Sequence, residues 1–150
     1  LNDHHAEMPL PNKSKTIATW LALLLGSLGA HRFYLYGRRD KLAWLYPLPT
    51  LLGLVGAMRM QNLGQDDQAA WLLIPMLGLM LSISMLTAII YGLTPDERWA
   101  ERHNPGQPVQ PTGWGPVIGV VIALLMGGTV LVSTLAFGGQ MFFEYQARGG

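Results

Sequence analysis

The sequence predicts an all-α integral membrane protein with four transmembrane helices and a short interfacial helix between the third and the fourth. Three observations predict it. Only 13% of the 150 residues are charged, against roughly 25% in ordinary soluble domains. The uncharged residues come in long blocks: residues 16–30, 42–58, 68–95 and 104–143 contain no Asp, Glu, Lys or Arg. Each block also carries a tryptophan near the start of its predicted span, at Trp20, Trp44, Trp71 and Trp114, and indole rings favour the membrane interface. A crossing helix needs about 20 predominantly apolar residues. The last two blocks exceed that, and the first two reach it by extending past a flanking charge.

Residues 1–12, "LNDHHAEMPLPN", are polar with two prolines and read as a flexible tail, in which His4 and His5 are a solvated pair. The first span covers residues 16–36, entered through Ser14 and Thr16 with Lys13 and Lys15 at head-group level. The second covers 42–60, with Pro47 and Pro49 in its first turns, where a missing amide donor costs least. The third covers 68–92, and Pro75 inside it predicts a bend. Between the third and fourth spans, "TPDERWAERH" offers Thr94 as N-cap, Pro95 at the first helical position and Glu97 to complete a capping box. Trp99 on one side suits a helix lying along the membrane surface, and "NPG" at 104–106 stops it. A connector follows at 104–113, and the fourth span covers 114–138, opened by Pro116. The chain thus divides into the tail, a helical hairpin over 13–60, and a second pair with connector and C-terminal tail over 61–150. No signal peptide is visible, and the sequence begins at Leu1, which leaves room for a native start upstream.

In lipid, helices associate through close packing of small residues rather than through apolar burial. The first span repeats such residues every fourth position at Ala18, Ala22, Gly26 and Ala30, with Gly29 beside them. The fourth does the same at Gly115, Gly119, Ala123 and Gly127, and the third at Ser84, Ala88 and Gly92, with Gly78 and Ser82 on another face. A four-residue spacing keeps each set on one helix face. These are the predicted packing residues. Lys and Arg in short loops set orientation. With four spans, Lys13, Lys15, Arg59 and Arg148 share one side, and Arg32, Arg38, Arg39, Lys41, Arg98 and Arg102 share the other. Six against four predicts both termini outside the cytoplasm.

The stretch "GSLGAHRFYLYG", residues 26–37, ends the first span. Gly26 and Gly29 permit close approach or a loosened helix end. His31 and Arg32 then emerge at the interface, where a guanidinium can reach towards phosphates. Phe33, Tyr34 and Tyr36 join them as interfacial anchors. A haem or metal role for His31 is not predicted, because no second histidine lies in any span. The run "KSKTIATWLALLLGSLGAHRFYLYG", residues 13–37, resembles the TM-two domain family through Gly26, Gly29, His31, Phe33, Tyr34, Leu35 and Gly37. The resemblance implies two membrane helices joined by a short charged loop. The second helix departs from it by ending at Arg59, where the family usually has an Asp.

Net charge is +1 and the ten basic residues form no basic face, so no nucleic-acid partner is expected. Cysteine is absent, which removes thiol chemistry and thiolate metal sites. No acid occupies the uncharged blocks, and their serines and threonines have no adjacent base. Neither catalysis nor proton-coupled transport by a lone chain is therefore predicted, and no cofactor or metal is expected. The expected role is an accessory or structural subunit, or assembly factor, of a larger membrane complex. Its partners would be other membrane subunits and lipids. The alternatives are a lipid-head-group sensor or an oligomeric pore. The expected location is the bacterial inner (cytoplasmic) membrane, multi-pass.

Overall fold

A computed structural model describes residues 12–149, and the predicted tail with His4 and His5 lies outside the described residues except for Asn12. The described chain is all helical: α1 (Lys15–Leu25), α2 (Ala30–Tyr36), α3 (Lys41–Leu45), α4 (Pro47–Leu63), α5 (Gln68–Leu93), α6 (Asp96–His103) and α7 (Gly115–Ala147). α3 and α4 join through Tyr46, whose backbone stays helical, as one run over Lys41–Leu63. That run, α5 and α7 have 23, 26 and 33 residues and are long and apolar enough to cross a membrane. α5 is central, packing on α1, α4 and α7.

The second and third predicted spans correspond to Lys41–Leu63 and Gln68–Leu93, and α5 runs through Pro75 as one helix. α7 continues to Ala147, nine residues past the predicted end at 138, because nothing after Gly138 breaks a helix before the C-terminal glycines. The short helix differs at its start. Pro95 is the N-cap, α6 begins at Asp96, and Thr94 caps the end of α5, where its hydroxyl donates to the Ile90 carbonyl at 2.6 Å. The predicted capping box does not form, since the N-cap is Pro95, which has no side-chain acceptor, and Thr94 belongs to the end of α5.

The first predicted span departs most. Residues 16–36 do not form one helix. α1 begins at Ser14, whose side chain accepts from the Ile17 amide. It tightens into a 3₁₀ turn over Gly26–Leu28, and the chain then reverses at Gly29. Gly29 sits in the left-handed region (φ 79°), where a side chain costs roughly 1–2 kcal/mol. A Cβ there would lie 2.6 Å from the Ala43 carbonyl oxygen, so glycine is required twice over. α2 runs back beside α1. The Ser14 amide donates to the Tyr34 hydroxyl at 2.7 Å, and Lys13 Nζ donates to the Tyr34 carbonyl at 2.8 Å.

Two contacts fix the depth of this hairpin. The Thr50 hydroxyl donates to the Ser27 carbonyl at 2.6 Å, and a Cβ on Gly26 would stand 2.8 Å from Ser84 Cβ. Thr50 is nine residues after Lys41 and Ser84 nine before Leu93. At 1.5 Å per residue both place the hairpin tip about 14 Å from that end of the bundle, near the middle. Four spans would put Lys13 and Arg148 at one end. Instead the Lys13 amide donates to Asn104 Oδ1 at 2.7 Å, and Arg148 pairs with Asp66 at the other end, at 2.8 Å.

Candidate functional site

The predicted packing residues meet around α5. Ala22 and Ala123 are fully buried in one cluster with Leu23, Met85 and Ala88. A Cβ at Gly115 would stand 2.8 Å from the Thr16 side chain, one at Gly119 3.0 Å from Thr19, and one at Gly127 2.8 Å from Met85. Such spacings leave little room for a side chain, so side chains of α1 and α5 pack directly onto the glycine backbone of α7. Gly26 faces Ser84 on α5, whereas Gly29 faces Ala43 and Tyr46. Ala30 lies past the chain reversal, on α2, and so does not continue the ridge of Ala18 and Ala22.

The predicted anchor residues divide. His31 is 1% exposed and enclosed within the protein, instead of emerging towards head groups. The reversal at Gly29 turns it inward, where its ring meets Tyr46 edge-on at 5.4 Å and Tyr91 at 5.9 Å. Its Nδ1 is buried without a hydrogen-bond partner among the described residues. Arg32 is engaged by Asp40, Nε to Oδ2 at 2.7 Å, and lies over the Tyr36 ring at 4.9 Å. Phe33 packs against Trp44 at 5.0 Å, Tyr34 caps the hairpin, and Tyr36 is half exposed.

Further contacts extend this set into one continuous chain of rings. Tyr91 meets Trp99 at 5.6 Å, Trp99 meets His103 at 4.2 Å, and His103 meets Tyr36 at 6.1 Å. Residues of α2, α5 and α6, together with Tyr46, thus form one aromatic joint that carries a single ion-paired guanidinium. Sequence reasoning missed Tyr46, Tyr91, Trp99 and His103 as members, because they come together only when α2 folds back. It missed Asp40 as well. The only signal was an acid closing the short "GRRD" loop after Gly37, where it also caps α3 by accepting from the Leu42 amide at 3.2 Å.

A second polar group locks α6 to α1. Lys15 is 7% exposed, and its ammonium donates to Asp96 Oδ1 at 2.7 Å and to the Thr94 carbonyl at 2.8 Å. Asp96 also accepts from the Thr112 amide at 3.2 Å and from its hydroxyl. The Lys15 and Thr112 hydrogen bonds hold the Asp96 carboxyl below the usual carboxylate range. Trp99 Nε1 donates to the Lys13 carbonyl at 2.7 Å. The His103 imidazole is pushed down by burial and by the nearby Arg102 and Lys13. Lys13, Lys15, Asp96, Trp99 and Thr112 border a polar cleft of about 320 Å³.

Three long apolar helices and their small-residue contacts define a multi-pass, all-α membrane protein. Within it, residues 11–60 match the TM2 domain family. That segment holds the hairpin and most of the Lys41–Leu63 run. No curated protein and no solved structure matches the chain.

Proposed function

We propose that the protein is a non-catalytic component of a larger membrane complex, an accessory or structural subunit or an assembly factor, held in a bacterial cytoplasmic membrane. The observation that carries this reading is a groove between α5 and α7. It has a volume of about 380 Å³ and is lined by Leu79, Ser82, Ile83, Gly127, Gly128 and Leu131 among others. Gly128 and Gly139 have nothing within 4 Å of a would-be Cβ. Eleven residues apart, they share a helix face at about three turns' spacing. An interior helical glycine costs roughly 0.5–1 kcal/mol relative to alanine, and these two return nothing within the chain itself. A partner transmembrane helix seated in the groove would use Gly128, which lines it, as Gly119 and Gly127 are used inside the protein, and one that followed the same face of α7 would reach Gly139.

Affinity purification in mild detergent tests this. A partner recovered at fixed stoichiometry, and lost on Gly128→Leu while the chain stays folded, supports the reading. A chain that purifies alone, or a partner indifferent to Gly128→Leu, contradicts it and favours the lipid-head-group or oligomeric-pore alternative.

A further inference from the structure

We infer that residues 15–36 are a re-entrant hairpin, so that the chain crosses the membrane three times with the α6 end of the bundle in the cytoplasm. The inference concerns topology and stands apart from the partner reading.

The hairpin is too short to cross. α1 and its 3₁₀ turn cover 14 residues, Lys15–Leu28, or about 22 Å at the rises of the two helix types, against a hydrocarbon core of about 30 Å. The tip contacts with Thr50 and Ser84 stop it near mid-depth. Non-helical backbone at that depth is tolerated only where protein satisfies its polar groups. The Gly29 amide donates to the Gly26 carbonyl at 2.9 Å, and the Ser27 carbonyl accepts from Thr50. The tip is therefore provided for. Both hairpin arms begin and end beside α6, through Lys13 to Asn104 and Tyr36 to His103.

Charge gives an independent reading of the same geometry. With the hairpin returned, Lys13, Lys15, Arg32, Arg38, Arg39, Lys41, Arg98 and Arg102 all lie at the α6 end. Only Arg59 and Arg148 of the ten basic residues lie at the other. Both of those are paired, with Asp67 and Asp66 at 2.8 Å. Basic residues in short loops mark the cytoplasmic side. The near-even division that four spans require becomes eight against two. The wider margin keeps the loops at the α6 end in the cytoplasm and the C-terminal end of α7 outside, as expected from the sequence, and moves only the N-terminal segment to the inside.

The cysteine-free chain permits a direct test with Asn12→Cys, Arg39→Cys and Gln65→Cys, made singly at exposed positions. A membrane-impermeant maleimide is applied to intact host cells and then to permeabilised ones. The inference requires position 65 to react in intact cells, and positions 12 and 39 to react only after permeabilisation. Position 12 reacting together with 65 and apart from 39 restores four spans and overturns it. Position 39 reacting in intact cells overturns the orientation. Spin-label mobility at each site confirms that the variants keep the wild-type fold.

Discussion

The backbone amide of Ser14 donates to the hydroxyl of Tyr34 across 2.7 Å, although 20 residues separate them in the chain. A straight helix would hold those residues about 30 Å apart. Everything else at the α6 end follows from this closure. The hairpin brings His31 to Tyr91, Leu35 to Ala18 and Trp99, and Lys13 to Asn104.

Gly29 should be the most sensitive residue of the hairpin. Gly29→Ala places a Cβ in a left-handed conformation and against the Ala43 carbonyl. The conformational cost alone is about 1–2 kcal/mol, and the clash adds to it. Gly128→Ala, at an α7 position with open space, should be neutral or slightly stabilising for the isolated chain. Unfolding in detergent, followed by circular dichroism, compares them. Equal midpoints for the two variants would show that Gly29 does not set the reversal.

His31→Phe should be tolerated, and His31→Ala should not. The phenyl ring keeps the edge contacts with Tyr46 and Tyr91 and removes a buried, unpaired Nδ1, which costs about 1–3 kcal/mol when left unsatisfied. Alanine leaves a cavity worth about 3–5 kcal/mol, by analogy with buried aromatic truncations. Thermal stability in detergent reads both. Loss of stability in His31→Phe as large as in His31→Ala would mean that the imidazole holds a water or ligand through Nδ1.

The outline of the fold was legible in the sequence, and the path of its first segment was not. Uncharged blocks located α4, α5 and α7, because a helix in lipid must satisfy its own backbone and exclude charge. The same rule cannot separate a crossing from a return. Residues 16–30 are as apolar as a span whether Gly29 continues the helix or reverses it, and the choice rests on one backbone angle. The ridge of Ala18, Ala22 and Gly26 was readable as a contact face, since its spacing is local. The aromatic joint was not, since Tyr46, Tyr91 and Trp99 are scattered over more than fifty positions. The capping box failed for a local reason, namely that α5 runs on to Thr94, which leaves Pro95 as the N-cap of α6.

Asp96 predicts an acid-labile junction between α1 and α6. Its carboxyl is held below the usual range by Lys15 and Thr112. Its contribution is therefore full above the ordinary aspartate value, near 3.9, and is lost as pH falls through the lower folded value. Asp96→Asn should weaken α6 docking at neutral pH and abolish this acid step. Amide exchange of residues in α6, measured between pH 7 and pH 3, follows it. An acid step of unchanged size in Asp96→Asn would assign it to another carboxylate.

His103 should act in a milder range. Burial holds its imidazole below its ordinary value, near 6.5, so the folded form resists protonation. Its contribution to docking α6 against Tyr36 and Trp99 is complete above that value and declines as pH falls towards the lower folded one. Histidine ring shifts recorded by NMR in micelles should show His103 titrating below a free histidine standard. Titration at or above the standard would show that the ring stacks on Trp99 as a cation.

The returned hairpin is tested most directly by the distance between spin labels placed at Ile17 and Tyr36, both about half exposed, through paired cysteines in the cysteine-free chain. One continuous helix holds these positions about 28 Å apart at 1.5 Å per residue. The reversal at Gly29, which brings Ser14 against Tyr34, predicts a narrow distribution clearly shorter than that helical distance. A single peak near the helical value, in bilayers of the chain as purified, would show that residues 16–36 pass straight through and that the hairpin does not form.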